Sequence, residues 1–165
     1  MTLIEVTIVM LIIGILAAIA APRFSSAMRS AQVRSAAIHT ASHVEFVRQS
    51  AINGNRSTSL TYDAANVSYQ SAEVDFADRI GQLITVDLND EFDASIELKA
   101  NFDNTDTISF DVEGVPIVGN ATMQNGFIEI SASGVLPYYV IIAAGTGYVS
   151  VHSASDLVGN SGGTN

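Results

Sequence analysis

The sequence predicts an α+β fold in which a long N-terminal α-helix packs on a mainly antiparallel β-domain. Residues 1–22 are mostly apolar, and Glu5 is the one charged side chain among them. Residues 24–53 repeat apolar side chains every three or four positions, and the residues after Gly54 alternate with a period of two. This change of period marks the boundary between a helix and a series of strands.

The first segment, residues 1–23, is predicted to be a hydrophobic helix, and its first 22 residues are long enough to cross a membrane. A helix of this length extends about 33 Å, and the hydrocarbon core of a bilayer is about 30 Å thick. The segment lacks the basic start and the small-residue cleavage site of a removable signal peptide. A plain transmembrane anchor explains the length but not Glu5, because an ionised carboxylate inside lipid costs several kcal/mol.

Glu5 therefore requires a cationic partner. Residues 1–22 contain no Lys, Arg or His, so the candidates are the chain's own α-amino group and that of a neighbouring copy. The positive end of the helix dipole adds a smaller attraction for an acid in the first turn. If the amine of a neighbour pairs with Glu5, the acid sets the register between identical stems.

Three short segments near the N terminus carry a family signature. They are residues 2–6 (Thr-Leu-Ile-Glu-Val), residues 14–20 (Gly-Ile-Leu-Ala-Ala-Ile-Ala) and residues 21–24 (Ala-Pro-Arg-Phe). Over residues 1–30 the chain resembles the N terminus of mature type IV pilins and of the related type II secretion pseudopilins.

The resemblance implies roles for four residues. A prepilin peptidase would remove a short leader, and Met1, in the place of the usual Phe, would be N-methylated. Glu5 would pair with the N terminus of a neighbour during assembly on a powered platform. The helix would loosen between Gly14 and Pro22 within the filament, in agreement with the loss of a helical donor at proline.

Charge is distributed unevenly along the chain. Residues 1–56 carry a net charge of +3, whereas residues 57–165 carry fifteen acids against Arg79 and Lys99. The acidic head argues against general nucleic-acid binding, which requires cations that replace counterions on phosphates. The chain has no cysteine, unlike the many pilins that close a C-terminal loop with a disulfide.

The second segment, residues 24–54, is predicted to be an amphipathic helix that stops at residues 53–55 (Asn-Gly-Asn). Its predicted buried stripe consists of Val33, Ala37, Ala41, Val44, Val47 and Ala51.

The third segment, residues 55–152, is predicted to be a β-rich head. Its seven or eight predicted strands lie at residues 58–62, 67–69, 80–88, 95–100, 107–112, 126–131, 138–143 and 148–151. Residues 153–165 are predicted to be a flexible tail rich in Gly and Ser.

A weaker resemblance concerns the β-region. Residues 110–116, 127–131, 140–142 and 147–151 are similar in order to the β-domain of H-type minor pseudopilins and of certain DNA-uptake minor pilins. The DNA-uptake proteins resembled here use basic C-terminal residues. After His152 this chain has an acid and no Lys or Arg, so DNA binding is not expected.

One candidate metal site lies in an acidic turn. Asp87, Asn89, Glu91 and Asp93 alternate like the start of a calcium loop, and Ca²⁺ takes oxygen ligands. Phe92 occupies the place where an EF-hand requires Gly, and an apolar residue occupies the place of its final acid. A solvated acidic turn is the alternative interpretation.

Two further motifs are common in proteins without a specific function. His39 and His43 share a helix face at the spacing of a metal pair, but no third ligand is evident. Asn55, Asn66 and Asn120 each begin a glycosylation sequon. The sequence contains no nucleophile elbow, phosphate loop or Cys–His arrangement, so an enzyme is not expected.

The sequence therefore predicts a filament subunit that forms a helical homo-oligomer and lies in the inner membrane before assembly. A surface fibre for adhesion or motility is the first prediction. A minor pseudopilin that recognises cargo at a periplasmic pseudopilus is the alternative. A membrane-anchored binding module that never polymerises is the third.

Overall fold

The computed structural model describes residues 2–92 and 95–159, without the side chains of residues 20–22, 158 and 159. In this part of the chain, one long helix leads into ten short strands and two short helices. The predicted α+β fold is confirmed.

Helix α1, Leu3–Gly54, has 52 residues and is therefore about 78 Å long. It ends where the next residue, Asn55, adopts a left-handed conformation (φ 47°) and donates its N–H to the carbonyls of Ala51 and Ile52. The predicted helix stop is thus confirmed. The helix is continuous through residues 14–22. The loosening there was predicted for the assembled filament and stays a prediction.

The two halves of α1 have different surroundings. The described side chains up to Arg29 are exposed. From Val33 onward one face is fully buried against the head, at Val33, Ala36, Ala37, Val44, Val47 and Ala51. The predicted stripe is confirmed at five of its six positions, and the sixth, Ala41, is half-buried. Alanine and valine allow the strands to approach the helix closely.

The strands after α1 are short and regular. They are β1 (Thr58–Asp63), β2 (Ser68–Phe76), β3 (Arg79–Asp87), β4 (Ile96–Phe102), β5 (Thr107–Phe110), β6 (Pro116–Val118), β7 (Ala121–Thr122), β8 (Gly126–Ala132), β9 (Tyr138–Ile142) and β10 (Val149–Ser153). Helix α2 (Leu88–Glu91) follows β3, and helix α3 (Ala154–Gly159) follows β10.

The strands form two antiparallel sheets. The first has six strands in the order β3-β2-β1-β5-β6-β7, and the second has four in the order β10-β9-β8-β4. Helix α1 packs against β1 of the first sheet and against β8, β9 and β10 of the second. The core lies between the helix and both sheets, and its largest side chains include Tyr62, Tyr69, Phe102 and Phe110.

The structure corrects several sequence-based boundaries. Strands β6 and β7 were not predicted, because three and two residues are too few to show an alternating pattern. The turn expected at residues 89–90 is helix α2. The tail predicted to be flexible from residue 153 begins with the end of β10 and helix α3, while residues 160–165 lie outside the described residues.

Candidate functional site

The stem, residues 3–22 of α1, displays apolar side chains that the head does not cover. The exposed fraction of its large apolar side chains ranges from 41% at Val6 to 88% at Leu3. The exposed set is Leu3, Ile4, Val6, Ile8, Val9, Met10, Leu11, Ile12, Ile13, Ile15, Leu16 and Ile19. Such a surface is unstable in water and requires lipid or another protein as cover.

Among the described residues, α1 is the one helix with the length and apolar composition to cross a bilayer. None of its most apolar stretch is buried within the chain, so the stem is not a core helix of the head.

Glu5 has a local partner in the isolated chain. Its Oε2 accepts a hydrogen bond from the backbone N–H of Thr2 at 3.3 Å, and the Thr2 hydroxyl accepts one from the backbone N–H of Glu5 at 3.4 Å. The pair forms a capping box at the start of α1. The Thr-x-x-Glu spacing of residues 2–5 is the sequence signal for this role, which the charge-based prediction missed. Met1, the other residue at this end that is predicted to act in assembly, lies outside the described residues.

Cations flank the stem where it meets the head. Arg23, Arg29 and Arg34 are exposed, and within the described residues none of them forms an ion pair with an acid. Arg29 Nη1 donates to the carbonyl of Ser133 at 3.5 Å, which places the β8–β9 turn at the base of the head.

The predicted histidine pair is close in space. The ring centroids of His39 and His43 are 4.4 Å apart. Their Nδ1 atoms face different partners, because His39 lies 3.2 Å from Glu91 Oε2 and His43 lies 2.7 Å from the Tyr69 hydroxyl. Burial, and secondarily the charge of His39, lowers the pKa of His43 to about 4. Among the described residues, no group of three His, Asp or Glu side chains is arranged to hold a metal ion.

The residues of the calcium candidate have structural partners. Asp87 Oδ1 accepts from the N–H of Asn89 at 2.9 Å and caps α2. Asn89 Oδ1 accepts from the N–H of Ile96 at 3.3 Å. Glu91 faces His39, and Asp93 lies outside the described residues. Calcium binding at this turn stays a prediction.

The three glycosylation candidates are on the surface. Asn55, Asn66 and Asn120 are all exposed. The side-chain nitrogen of Asn66 donates to Asp63 Oδ2 at 2.6 Å, so this amide is already engaged. Modification of these residues stays a prediction.

Sequence reasoning also missed an apolar groove on the outer face of the four-stranded sheet. The groove has a volume of about 470 Å³. Its apolar lining comes from β8, β9, the segment after β9, and α3, through Phe127, Tyr139, Ile141, Ile142, Ala143, Ala144 and Leu157. The sequence signal for the groove is the set of apolar residues at outward-facing positions of β8 and β9. Phe127 of β8, for example, lies opposite Ile141 of β9.

The long helix packed on an antiparallel β-head is a fold shared with type IV pilins. Two crystal structures of the type IV minor pilin FimU from Pseudomonas aeruginosa (strain PAO1) are similar to this chain. The structure in space group P21 has a TM-score of 0.55 at 16% identity and covers 74% of this chain and 90% of that chain. The structure in space group P65 has a TM-score of 0.53 at 14% identity and covers 74% of this chain and 94% of that chain.

These likenesses confirm the predicted pilin fold over most of the described chain. No protein-family model and no curated protein matches the sequence.

Proposed function

We propose that this chain is a structural, non-enzymatic subunit of a type IV pilus-like filament. The observation that carries the proposal is the bare stem, whose large apolar side chains from Leu3 to Ile19 are exposed while the head folds separately above them. Lipid covers this surface before assembly, and the stems of neighbouring copies cover it afterwards. The pilin fold, which FimU shares over 74% of this chain, supports the same role.

The energetics of this exchange depend on the surroundings of the stem. Inside a membrane the gain is small, because lipid is as apolar as another stem. Packing between stems and the pairing of Glu5 then supply the preference for assembly. Once the stems leave the lipid, burial of each large apolar side chain contributes about 1.5–3 kcal/mol, which holds the filament together in water.

Glu5 gives the assembly its register. The carboxylate releases the N–H of Thr2 and pairs with the α-amino group of a neighbouring copy, for a mature subunit that starts with a methylated Met1. A Glu5 that meets residue 1 of a parallel neighbour requires a shift of four residues, or about 6 Å along the axis. A peptidase that exposes this amine and a powered assembly platform are the implied partners.

The subunit would leave the inner membrane and form a homo-oligomeric fibre at the cell surface, for adhesion or motility. A second candidate is a minor subunit, at the tip of a pilus or in a periplasmic pseudopilus. The observation that favours the second candidate is the fold shared with FimU, which is a minor pilin.

The first experiment is electron microscopy of material sheared from cells, with mass spectrometry of the N terminus of the recovered subunit. Long fibres composed mainly of this chain, with a methylated first residue, are the expected result for the major subunit. A processed chain that is scarce in the fibres supports the minor subunit. An unprocessed chain without filaments contradicts both candidates and favours a membrane-anchored binding module.

Two variants separate the charge of Glu5 from its capping role. Glu5→Gln removes the charge but retains an oxygen that can accept from the Thr2 N–H, so helix content is maintained and filaments are lost. Thr2→Ala removes the hydroxyl half of the capping box and keeps the charge. Filaments should persist in this variant, and equal assembly of Glu5→Gln and the parent chain would contradict the pairing.

A further inference from the structure

We propose that the neck of the molecule, residues 23–30 of α1, binds the headgroups of anionic phospholipids through Arg23 and Arg29 before the subunit enters a filament. This inference rests on the membrane-inserted state of the function proposed above and adds a lipid preference to it. The partner is identified by its charge, since an anionic lipid such as phosphatidylglycerol presents an unneutralised phosphate at the surface of the bilayer.

The neck carries cations that no acid neutralises. Arg23, Arg29 and the next arginine of α1, Arg34, are exposed, and none of them forms an ion pair within the described part of the chain. Residues 6–44 contain these three arginines and no Asp or Glu, in a chain with 17 acids. A guanidinium offers five N–H donors in a fork that matches phosphate oxygens. Charge and donors therefore remain for an anionic ligand.

The position of the neck along α1 places its cations at the surface of a bilayer. The stem extends about 30 Å as a helix, which matches the thickness of the hydrocarbon core. Arg23 follows the stem directly and lies in the headgroup layer. Arg29 lies about 9 Å further along the axis, and its long side chain can extend back toward the phosphates. Arg34 lies about 16 Å beyond Arg23, so most of its attraction is screened at a Debye length of about 8 Å.

The side chains around the two arginines suit the boundary between lipid and water. Phe24 and Met28 lie one turn apart on α1 and are 68% and 50% exposed. Arg29 Nη1 donates at 3.5 Å to a carbonyl of the β8–β9 turn, residues 133–137, which places this turn at the level of the neck. The turn contains no charged residue, and its Leu136 is 62% exposed. Exposed apolar side chains among cations are typical of segments that lie at a membrane surface.

The acidic head of a neighbouring copy is the competing partner for these arginines, because residues 57–165 carry fifteen acids against two cations. Phe24 and Met28 favour lipid, since an acidic and hydrated head surface leaves them in water whereas the upper part of a bilayer covers them. A contact with a neighbour also has no reason to follow depth in the membrane. The lipid contact predicts that Arg23 and Arg29 act and that Arg34 does not.

A lipid-quenching measurement on the full chain tests this preference. The chain contains no tryptophan, so Ile19→Trp introduces a single fluorophore at a stem position that is 59% exposed and one turn from Arg23. The protein is reconstituted in vesicles of equal parts phosphatidylcholine and phosphatidylglycerol, and one lipid or the other carries bromine on its acyl chains. Bromine quenches tryptophan on close approach, so the two preparations compare how often each lipid lies beside the neck.

The proposal predicts stronger quenching by brominated phosphatidylglycerol than by brominated phosphatidylcholine. One cation near the surface favours an anionic lipid about fivefold, and the reporter averages over all lipids around it, so a preference of about twofold or more is expected at low salt. The preference should fall as salt is added, because salt screens the attraction.

Three variants of the reporter chain separate the arginines by depth. Arg23→Gln/Arg29→Gln should abolish the preference, whereas Arg34→Gln, the matched control on the same helix, should retain it. Arg23→Lys/Arg29→Lys keeps both charges without the guanidinium forks and should retain most of the preference. Circular dichroism verifies that each variant keeps the helix content of the reporter chain.

The outcomes distinguish the lipid site from the proposed function. Equal quenching by the two lipids in the reporter chain, or an equal loss of preference in Arg34→Gln and Arg23→Gln/Arg29→Gln, overturns the lipid site. Equal quenching together with a lower yield of sheared filament from Arg23→Gln/Arg29→Gln assigns the arginines to the acidic head of a neighbour and leaves the filament function intact. An absence of quenching by either lipid means that the stem does not enter the bilayer, which contradicts the proposed function itself.

Discussion

His43 lies between α1 and β2 in surroundings that favour the neutral imidazole. The Tyr69 hydroxyl is 2.7 Å from its Nδ1, and the rings of Tyr69 and Phe76 lie within 6 Å of its ring centroid. The neighbouring His39 ring adds repulsion when both histidines are charged, although Glu91 faces His39. The hydrogen bond between His43 Nδ1 and the Tyr69 hydroxyl can form with either atom as the donor, so the cost of protonating His43 comes from burying its charge and from His39.

We predict that His43 destabilises the head as the pH falls from 6.5 to about 4. The folded-state pKa of about 4 lies below the ordinary value of 6.5, so the unfolded chain binds more protons in this range. Stability is fully present above pH 6.5 and is lost as the pH falls. After allowance for the partial solvent exposure of His43, the loss is about 1–2 kcal/mol. Thermal unfolding at pH 7 and pH 4.5 measures it.

Two variants identify the source of this pH dependence. His43→Gln should lose less stability than the parent chain between pH 7 and pH 4.5. His152→Gln, on β10, should behave like the parent. A loss in His43→Gln equal to that of the parent would assign the pH dependence to other groups, such as the carboxylates.

At the scale of elements, the last turns of α1 dock against two loops of the head. Arg48 is fixed by Glu45, with nitrogen–oxygen distances of 3.0 and 2.7 Å, and its Cδ lies beside Gly147 of the β9–β10 loop. A β-carbon on Gly147 would lie 2.5 Å from the carbonyl oxygen of Gly114 and 2.9 Å from Arg48 Cδ. Position 147 therefore requires glycine, because the β9–β10 loop approaches both the loop that contains Gly114 and helix α1 closely.

We predict that Gly147→Ala lowers the free energy of unfolding by about 3 kcal/mol or more, because it adds a backbone clash to a left-handed conformation. Gly145→Ala, in the same loop, is the matched control. Gly145 has a similar φ of 76°, but no atom lies within 4 Å of an added β-carbon. It should cost about 1–2 kcal/mol, from the conformation alone. Urea unfolding followed by circular dichroism compares the two, and equal losses would mean that the loop moves away from α1.

The sequence predicted most elements because their periods are clear. The spacing of Val33, Ala37, Val44, Val47 and Ala51 identifies a helix face that is now buried. The β2–β3 hairpin was harder to predict from the sequence, because the pairing register of its two strands shifts twice. The shifts lie between Gln70 and Asp75 and between Asp75 and Phe76. These irregularities shift the alternation of apolar residues, so β2 was predicted as a three-residue strand and the rest of the hairpin was not recognised.

The candidate site was predictable to the extent that it depends on local pattern. The bare stem follows from an apolar run that no amphipathic period divides. The groove did not follow, because it combines side chains from β8, β9 and α3 that only the sheet order brings together. Three-dimensional neighbours of this kind require the topology, which a single sequence does not specify.

At the scale of the whole molecule, stem and head are separate in their packing. The described stem side chains are exposed, and the buried face of α1 starts at Val33. The head core joins this face to both sheets, with side chains such as Leu60, Ile108 and Ile130 fully buried. The stem therefore contributes little to the stability of the head.

We predict that a chain without residues 1–23 folds into the same head. In one detergent buffer, its thermal midpoint should lie within about 2 °C of the midpoint of the full chain, because the side chains that the structure describes among the deleted residues are all exposed. The truncated chain should also stay monodisperse without detergent, whereas the full chain should aggregate through its exposed stem. Light scattering and circular dichroism measure both properties. A midpoint many degrees lower would mean that the stem supports the head, for example by preventing fraying of α1 below Val33.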